Sequence, residues 1–364
     1  MKLFTPGPIM MDPETIIEAG RQSQYFRTPE FSQIVNDCAE MLGEVLNVPD
    51  NAKMVFLTAS GTAAMEAAVI NIFTERDKIL IINGGSFGER FKQICEIHRL
   101  NFVSIDLEWN EPFAPEILTD YIHFGFTGML VNVCETSTGQ KYPMETIAEF
   151  CKENNICLVI DAISSFLCDS VRMKALSAGA VIISSQKGLA LQPGMSFIAV
   201  SEEVYRERCE QNEVRSLYFR FTDYVNDMAR GQTPYSPAVS IINQLYYKLD
   251  RILSEGMWAQ IYHIVTLASY FREQLAEKTR LTVPAYPLSN CLTPVYCEKN
   301  NALKIVEVLR DRYDIYVTPC SGSISPFLFR VAHMSRQLSI GDIDELVELL
   351  RFHSALLTGK NDSK

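Results

Sequence analysis

Seven short, mostly apolar runs between Met54 and Val200 constrain this chain more than any other feature. They are Met54–Leu57, Lys78–Ile82, Asn101–Ile105, Met129–Val133, Cys157–Ile160, Ala180–Ile183 and Ser196–Val200. Small or polar residues and then a helical pattern follow them repeatedly. A strand with one face in water alternates apolar and polar residues, whereas a strand covered on both faces has no need to. The runs predict an α/β domain around a mostly parallel sheet, with its ligand crevice beyond the carboxyl ends of the strands.

The rest of the 364-residue chain reads differently. Residues 201–236 are irregular and carry Arg208, Arg215, Arg220 and Arg230, while 237–278 has long helical apolar spacing (Ile241, Leu245, Leu249, Ile252) and is expected to lead out of the large domain. From about Leu281 the pattern shortens and predicts a small C-terminal α/β domain. Its strands fall at 292–297, 315–318 and 327–332, and its helices at 300–312 and 341–357; the N-terminal arm is expected to join it. The tail Gly359–Lys364 is expected to fray.

Two residues at the rim of the predicted sheet suggest chemistry. Asp161 ends the run Ile156–Ile160, and Lys187 follows Ala180–Ile183 after Ser184, Ser185 and Gln186. A lysine amine that can form a Schiff base, with a carboxylate able to pair with a protonated ring nitrogen, suits pyridoxal phosphate. The alternatives are a surface lysine and a helix-capping aspartate. Other rim segments agree. Ser60-Gly61-Thr62 opens a helix where a phosphate could bind, although a simple cap is the blander reading. Gly84, Gly85 and Gly88 surround Phe87, whose ring could stack on a flat cofactor or lie in the core. Thr136, within Glu135-Thr136-Ser137-Thr138-Gly139, could bind the ring oxygen or stabilise a turn. Arg330 interrupts the apolar run Phe327–Ala332 and suits bidentate binding of a carboxylate, or pairing with an acid. His333 is expected to be structural.

In their order along the chain, these motifs resemble the class V aminotransferases of the fold type I pyridoxal phosphate (PLP) enzymes. The likeness begins with Thr5-Pro6-Gly7-Pro8 and includes Ser60–Ala67, Gly85–Arg90, Glu135–Gly139, Asp161–Ser165, Ser184–Lys187, Pro193-Gly194 and Phe329-Arg330. It implies a large PLP-binding domain at 16–278 with its connecting helix, an N-terminal arm at 1–15 near the active site, and a small domain at 279–364. It further implies that Lys187 is the Schiff-base lysine, that Asp161 partners the ring nitrogen and that Phe87 stacks on the ring. Ser60, Gly61, Thr62, Ser184 and Gln186 would form the phosphate side, Thr136 would contact the cofactor, and Arg330 would hold the substrate carboxylate. Such enzymes are usually homodimers with active sites at the subunit interface, and Gly231–Pro237, with Gln232 and Thr233, resembles the segment donated to the partner.

Small primary amines such as alanine or serine are the expected donors, with pyruvate or glyoxylate as acceptor. A 2-aminoethylphosphonate:pyruvate transaminase is the nearest alternative, since Arg215–Tyr218 and Gly231-Gln232 are similar to those enzymes and Arg208, Arg215 and Arg230 could hold an anion. A lyase or desulfurase would need a nucleophilic cysteine, for which Cys320 is the loop candidate. A binding protein without turnover would be expected to lack Lys187 or Asp161. The ten cysteines contain no Cys-x-x-Cys pair and read as buried thiols of a reducing compartment; the five histidines show no metal-ligand spacing, so no metal is expected. A net charge of -11 argues against a broad nucleic-acid surface. With no signal-like or membrane-spanning run of roughly 18 apolar residues, a cytoplasmic location is the expectation.

Overall fold

Each of the seven apolar runs forms a strand of one sheet in the computed structural model, which describes residues 1–297, 300–320 and 322–356. Across the sheet the order is Lys53–Leu57, Ser196–Val200, Ala180–Ser184, Cys157–Asp161, Gly128–Asn132, Lys78–Asn83 and Asn101–Asp106. Ser196–Val200 runs antiparallel to both neighbours, and every other adjacent pair is parallel. The antiparallel return allows a short connection, which keeps the loop carrying Lys187 at the edge where Asp161 also ends.

Successive residues of the inner strands enter opposite cores, and that explains their continuous apolar character, whereas the edge strand Asn101–Asp106 is largely exposed or half-buried and buries only Ile105. Leu80, Ile82, Met129, Val131, Leu158 and Ile160 face one side, together with helices Pro29–Leu46, Met144–Glu153 and Val239–Glu255. Ile79, Ile81, Leu130, Val159 and Ile182 face the other, under helices Gly61–Ile72, Ser86–Ile97 and Phe221–Met228. Small side chains let the layers approach closely. A Cβ at Gly128 would lie 2.2 Å from the Phe73 ring.

Two sequence expectations need correction. Residues 201–236 are not uniformly irregular, because Glu202–Val204, Tyr205–Cys209 and Phe221–Met228 are helical. Phe221, Tyr224 and Met228 bury one face of the last of these. The long helical stretch is two helices, Val239–Glu255 and Met257–Lys278, interrupted where Gly256 adopts φ 84°. That left-handed backbone favours glycine and ends the first helix.

The smaller sheet has the order Lys2–Phe4, Ile315–Pro319, Leu328–Ala332, Leu292–Tyr296. Lys2–Phe4 pairs parallel with Ile315–Val317, and Phe4 enters the core beneath helices Met257–Lys278, Ala302–Tyr313 and Ile340–Leu356. The chain's start is thereby fixed to its C-terminal part. The tail Gly359–Lys364, expected to fray, lies outside the described residues.

Past this strand the N-terminal arm is anchored by charge. Lys248 Nζ donates to Asp12 Oδ2 at 2.6 Å and Gln337 Nε2 to Oδ1 at 2.9 Å, and both Asp12 and Lys248 are buried. Burial alone would raise the Asp12 pKa; the adjacent Lys248 charge and these hydrogen bonds outweigh it and hold the carboxylate below its ordinary value. Removing one partner of a buried pair strands the other, so Lys248→Met should cost about 3–5 kcal/mol. Asp12→Asn combined with Lys248→Met should recover most of that loss, as denaturant midpoints of the three proteins will show.

Candidate active site

Asp161 is the last residue of its strand and has both carboxylate oxygens occupied. Asn132, opposite it on the neighbouring strand, donates from Nδ2 to Oδ2 at 2.7 Å, and the Ile163 N–H donates to Oδ1 at 2.8 Å. Burial pushes its pKa up to about 6, against the opposing effect of these bonds. The site therefore favours a proton or a cationic N–H beside this carboxyl.

Lys187 emerges from a tightly folded connection. Ser185 Oγ donates to the Gln192 carbonyl at 2.7 Å, and the Ala190 N–H donates to the Lys187 carbonyl at 2.7 Å. Its Nζ donates to the Pro6 carbonyl of the N-terminal arm at 2.5 Å. Glycine is required beside it: Gly7 has φ 121°, and a Cβ there would lie 2.6 Å from Lys187 Cδ. Burial lowers the Lys187 pKa; the Asp161 charge opposes this, while Arg330 and Arg90 reinforce it. A lowered value increases the share of neutral, nucleophilic amine at neutral pH.

Phe87 lies at the start of helix Ser86–Ile97 and is held from a distant loop. The buried Glu135 carboxylate accepts from the Phe87 N–H at 3.2 Å and from the Gly88 N–H at 3.0 Å. It also accepts from the Ser137 N–H and hydroxyl. Two glycines admit this packing, since a Cβ on Gly85 would lie 2.2 Å from Ser137 Oγ and one on Gly84 would lie 2.3 Å from the Tyr142 hydroxyl.

On the opposite flank, Ser60 caps helix Gly61–Ile72, accepting the Ala63 N–H at 3.4 Å. A Cβ on Gly61 would come within 2.7 Å of Ile163 Cδ1 and 3.5 Å of Ser184 Cβ, so this helix start, the Asp161 loop and the strand leading to Lys187 meet. Ser184 Oγ donates to Gln186 Oε1 at 2.7 Å. Thr62 is exposed and accepts from Arg90. Thr136 is buried, with its hydroxyl donating to Ser164 Oγ at 2.8 Å.

Arg330 projects from the small sheet and bridges the two parts of the chain. Nη1 donates to the Thr136 carbonyl and Nη2 to the Pro319 carbonyl, each at 2.9 Å, while buried Nε has no hydrogen-bond partner. It lines a cavity of about 500 Å³ with Phe87, Glu89, Leu107, Trp109, Ser137 and Cys320. His333, by contrast, is buried against Phe271 and Thr293, and burial holds its pKa well below the usual value.

The chain's residues 16–327 match the family model of the aminotransferases of class V. The chain belongs to that family. It is 29% identical to an uncharacterized aminotransferase of Methanocaldococcus jannaschii, covering 91% of this chain and 87% of that one. It is 26% identical to the L-aspartate–glyoxylate aminotransferase of Paracoccus denitrificans, covering 91% and 86%. Among solved structures, the pyridoxamine–pyruvate aminotransferase of Mesorhizobium loti superposes with a TM-score of 0.91 at 22% identity, covering 99% of this chain and 93% of that one. This class V aminotransferase has the fold type I architecture and uses PLP to act on small amino donors and 2-oxo acids.

The residues present fit that cofactor. They combine a buried carboxylate, a half-buried amine of lowered pKa, an aromatic ring and a helix start lined by small and hydroxylated residues. Gln232 and Thr233 are not brought to Lys187 within the chain. Gln232 bonds Arg27, Phe26 and Ser32, and Thr233 donates to the Tyr235 carbonyl. Arg208 is held by Asp77, and Arg230 by Asp227. The sequence assigned no role to Asn132, Ile163, Ser164 or Arg90, although all four lie inside segments it singled out.

In the cofactor-stripped enzyme, Asp161 predicts a specific pH dependence. Its folded pKa of about 6 exceeds the unperturbed 3.8, so the folded state binds the proton more tightly and stability falls as pH rises from about 4 to 6. The full loss is on the order of 3 kcal/mol. Asp161→Asn removes this penalty, because the Asn132 amide can flip and offer its unpartnered Oδ1 to the new amide. Urea titrations should find the stripped variant more stable than its parent at pH 8 and no more stable at pH 4.

Proposed function

We propose that the enzyme transfers the amino group of a small uncharged amino acid, alanine or serine, to pyruvate or glyoxylate. The lining of the cavity carries this reading. Among its described residues Arg330 is the single cation, Glu89 is an acid, and Leu107, Trp109, Phe87 and Ile324 supply apolar surface. One guanidinium suits one carboxylate. The second carboxylate of aspartate, named for the Paracoccus relative, or the phosphonate of 2-aminoethylphosphonate would find no second cation in this lining, only Glu89, apolar surface and the neutral polar groups of Asn83, Ser86, Ser137 and Thr138.

In this reading the Arg330 Nε and free guanidinium N–H groups receive the substrate carboxylate while the Thr136 and Pro319 carbonyls fix the guanidinium. Bound PLP supplies an electron sink for the charge left when the substrate carbon loses its proton. Lys187 moves that proton, and Asp161 keeps a positive charge on the ring nitrogen favourable. Phe87 packs on the ring, with Ser60, Gly61, Thr62, Ser184 and Gln186 around the phosphate and Thr136 beside the ring. Cys320 offers little as a nucleophile, since burial raises its thiol pKa despite the opposing charge of Arg330.

We further infer a homodimer. Ser60 and Thr62 are exposed in the single chain, which leaves the outer side of the phosphate region open to a second copy. The segment Gly231–Pro237 would supply it, through exposed Ser236 beside the internally bonded Gln232 and Thr233.

The deciding experiment follows conversion of bound cofactor to its amine form with alanine, serine, aspartate or 2-aminoethylphosphonate. Alanine or serine is expected to convert it. Conversion by aspartate or the phosphonate alone would overturn the donor assignment. Lys187→Ala should abolish turnover, and Arg330→Ala should lower kcat/KM for alanine by about 100-fold through loss of a charge-assisted hydrogen bond.

A further inference from the structure

Arg90 is a cation without a carboxylate partner among the described residues, whereas Arg208, Arg230, Arg251 and Arg336 all have one. Its contacts lie on two sides. Nη1 donates to Thr62 Oγ1 at 3.0 Å, and the guanidinium carbon lies 4.7 Å from the centroid of Phe87, three residues earlier in the same helix. Thr62 stands at the start of helix Gly61–Ile72, where the unpaired N–H groups and the helix dipole favour an anion.

We propose that Arg90 is a positioning residue that joins the two ends of the cofactor site, directing the Thr62 hydroxyl toward the phosphate and backing the outer face of Phe87. This rests on the reading of Ser60, Gly61 and Thr62 as the phosphate side. A hydroxyl that accepts a hydrogen bond from a guanidinium keeps its own proton available, so Thr62 becomes a donor to the phosphate. The uncompensated guanidinium adds attraction for a dianion at the same place. On Phe87 it occupies one face of the ring through a cation–π contact and leaves the opposite face for the cofactor. Its charge also contributes to the lowered pKa of Lys187, which places it within electrostatic reach of the amine.

Arg90 should therefore matter more for a phosphorylated ligand than for the same ring without its phosphate. The test uses the full-length protein stripped of cofactor and titrated with PLP, with pyridoxal and with inorganic phosphate. Binding is followed by the Lys187-dependent absorbance band and, for phosphate, by competition. Arg90→Ala should weaken PLP and inorganic phosphate by at least roughly tenfold, the scale of a hydrogen bond to a charged group, and pyridoxal by no more than about threefold. Thr62→Val should weaken PLP similarly, and combining the two should cost less than the sum of their separate effects. Arg90→Lys, which keeps the charge without the directed fork, should fall between parent and Arg90→Ala and serves as the test if the alanine variant folds poorly.

Equal losses for PLP and pyridoxal, additive losses in the double variant, or unchanged affinities would overturn the proposal. A parent protein that develops no Lys187-dependent band with PLP would instead refute the cofactor-site reading, so the two failures are distinguishable.

Discussion

The Glu135 carboxylate has no exposed surface, and much of the site depends on what it holds. It accepts N–H groups from Phe87 and Gly88 at the positive end of helix Ser86–Ile97, and both polar groups of Ser137. A buried carboxylate is tolerable there because donors and a helix dipole surround it. The next residue, Thr136, offers its carbonyl to Arg330 and its hydroxyl to Ser164. A single turn of backbone thus sets the place of Phe87, the loop that follows Asp161 and the arginine of the small sheet. Displacing it would disturb elements far apart in sequence.

The large sheet was legible because burial on both faces leaves a mark that survives without knowledge of neighbours: an apolar run with no alternation. Lys187 and Asp161 were legible for a related reason, since polar residues immediately after such runs fall at the rim. The break at Gly256 was less visible, because apolar residues continue on both sides of it and helical spacing can be read straight through. The helix Phe221–Met228 is too short for its period to stand out between arginine-rich stretches. Long-range contacts left no local signal at all. Nothing near Glu135 in sequence identifies its distant donors, Phe87 and Gly88, and nothing near Arg90 points to Thr62.

Two arginines in different settings act on the one amine that the proposed reaction uses. Arg330 at the small sheet and Arg90 beside the helix start both act on the amine of Lys187 and lower its pKa along with burial, while Asp161 resists them. Neither arginine can replace the other, because one has its guanidinium fixed by the Thr136 and Pro319 carbonyls and the other lies across Thr62 and Phe87. In the proposed reading their separate settings suit a carboxylate at Arg330 and a phosphate near Arg90, both within electrostatic reach of the amine.

The N-terminal arm completes this division from outside. Strand Lys2–Phe4 belongs to the small sheet and the buried Asp12–Lys248 pair ties the far end of the arm to helix Val239–Glu255, so Pro6 is suspended between two fixed points. Pro6 is buried and Ile9 packs into a core with Ala190 and Ile264, so the carbonyl that meets the Lys187 amine is held from several sides. Gly7 removes the one Cβ that would collide with the lysine stem. A side chain there would have to displace either the lysine or the arm, and because the arm is held at both ends, the strain would fall on the lysine.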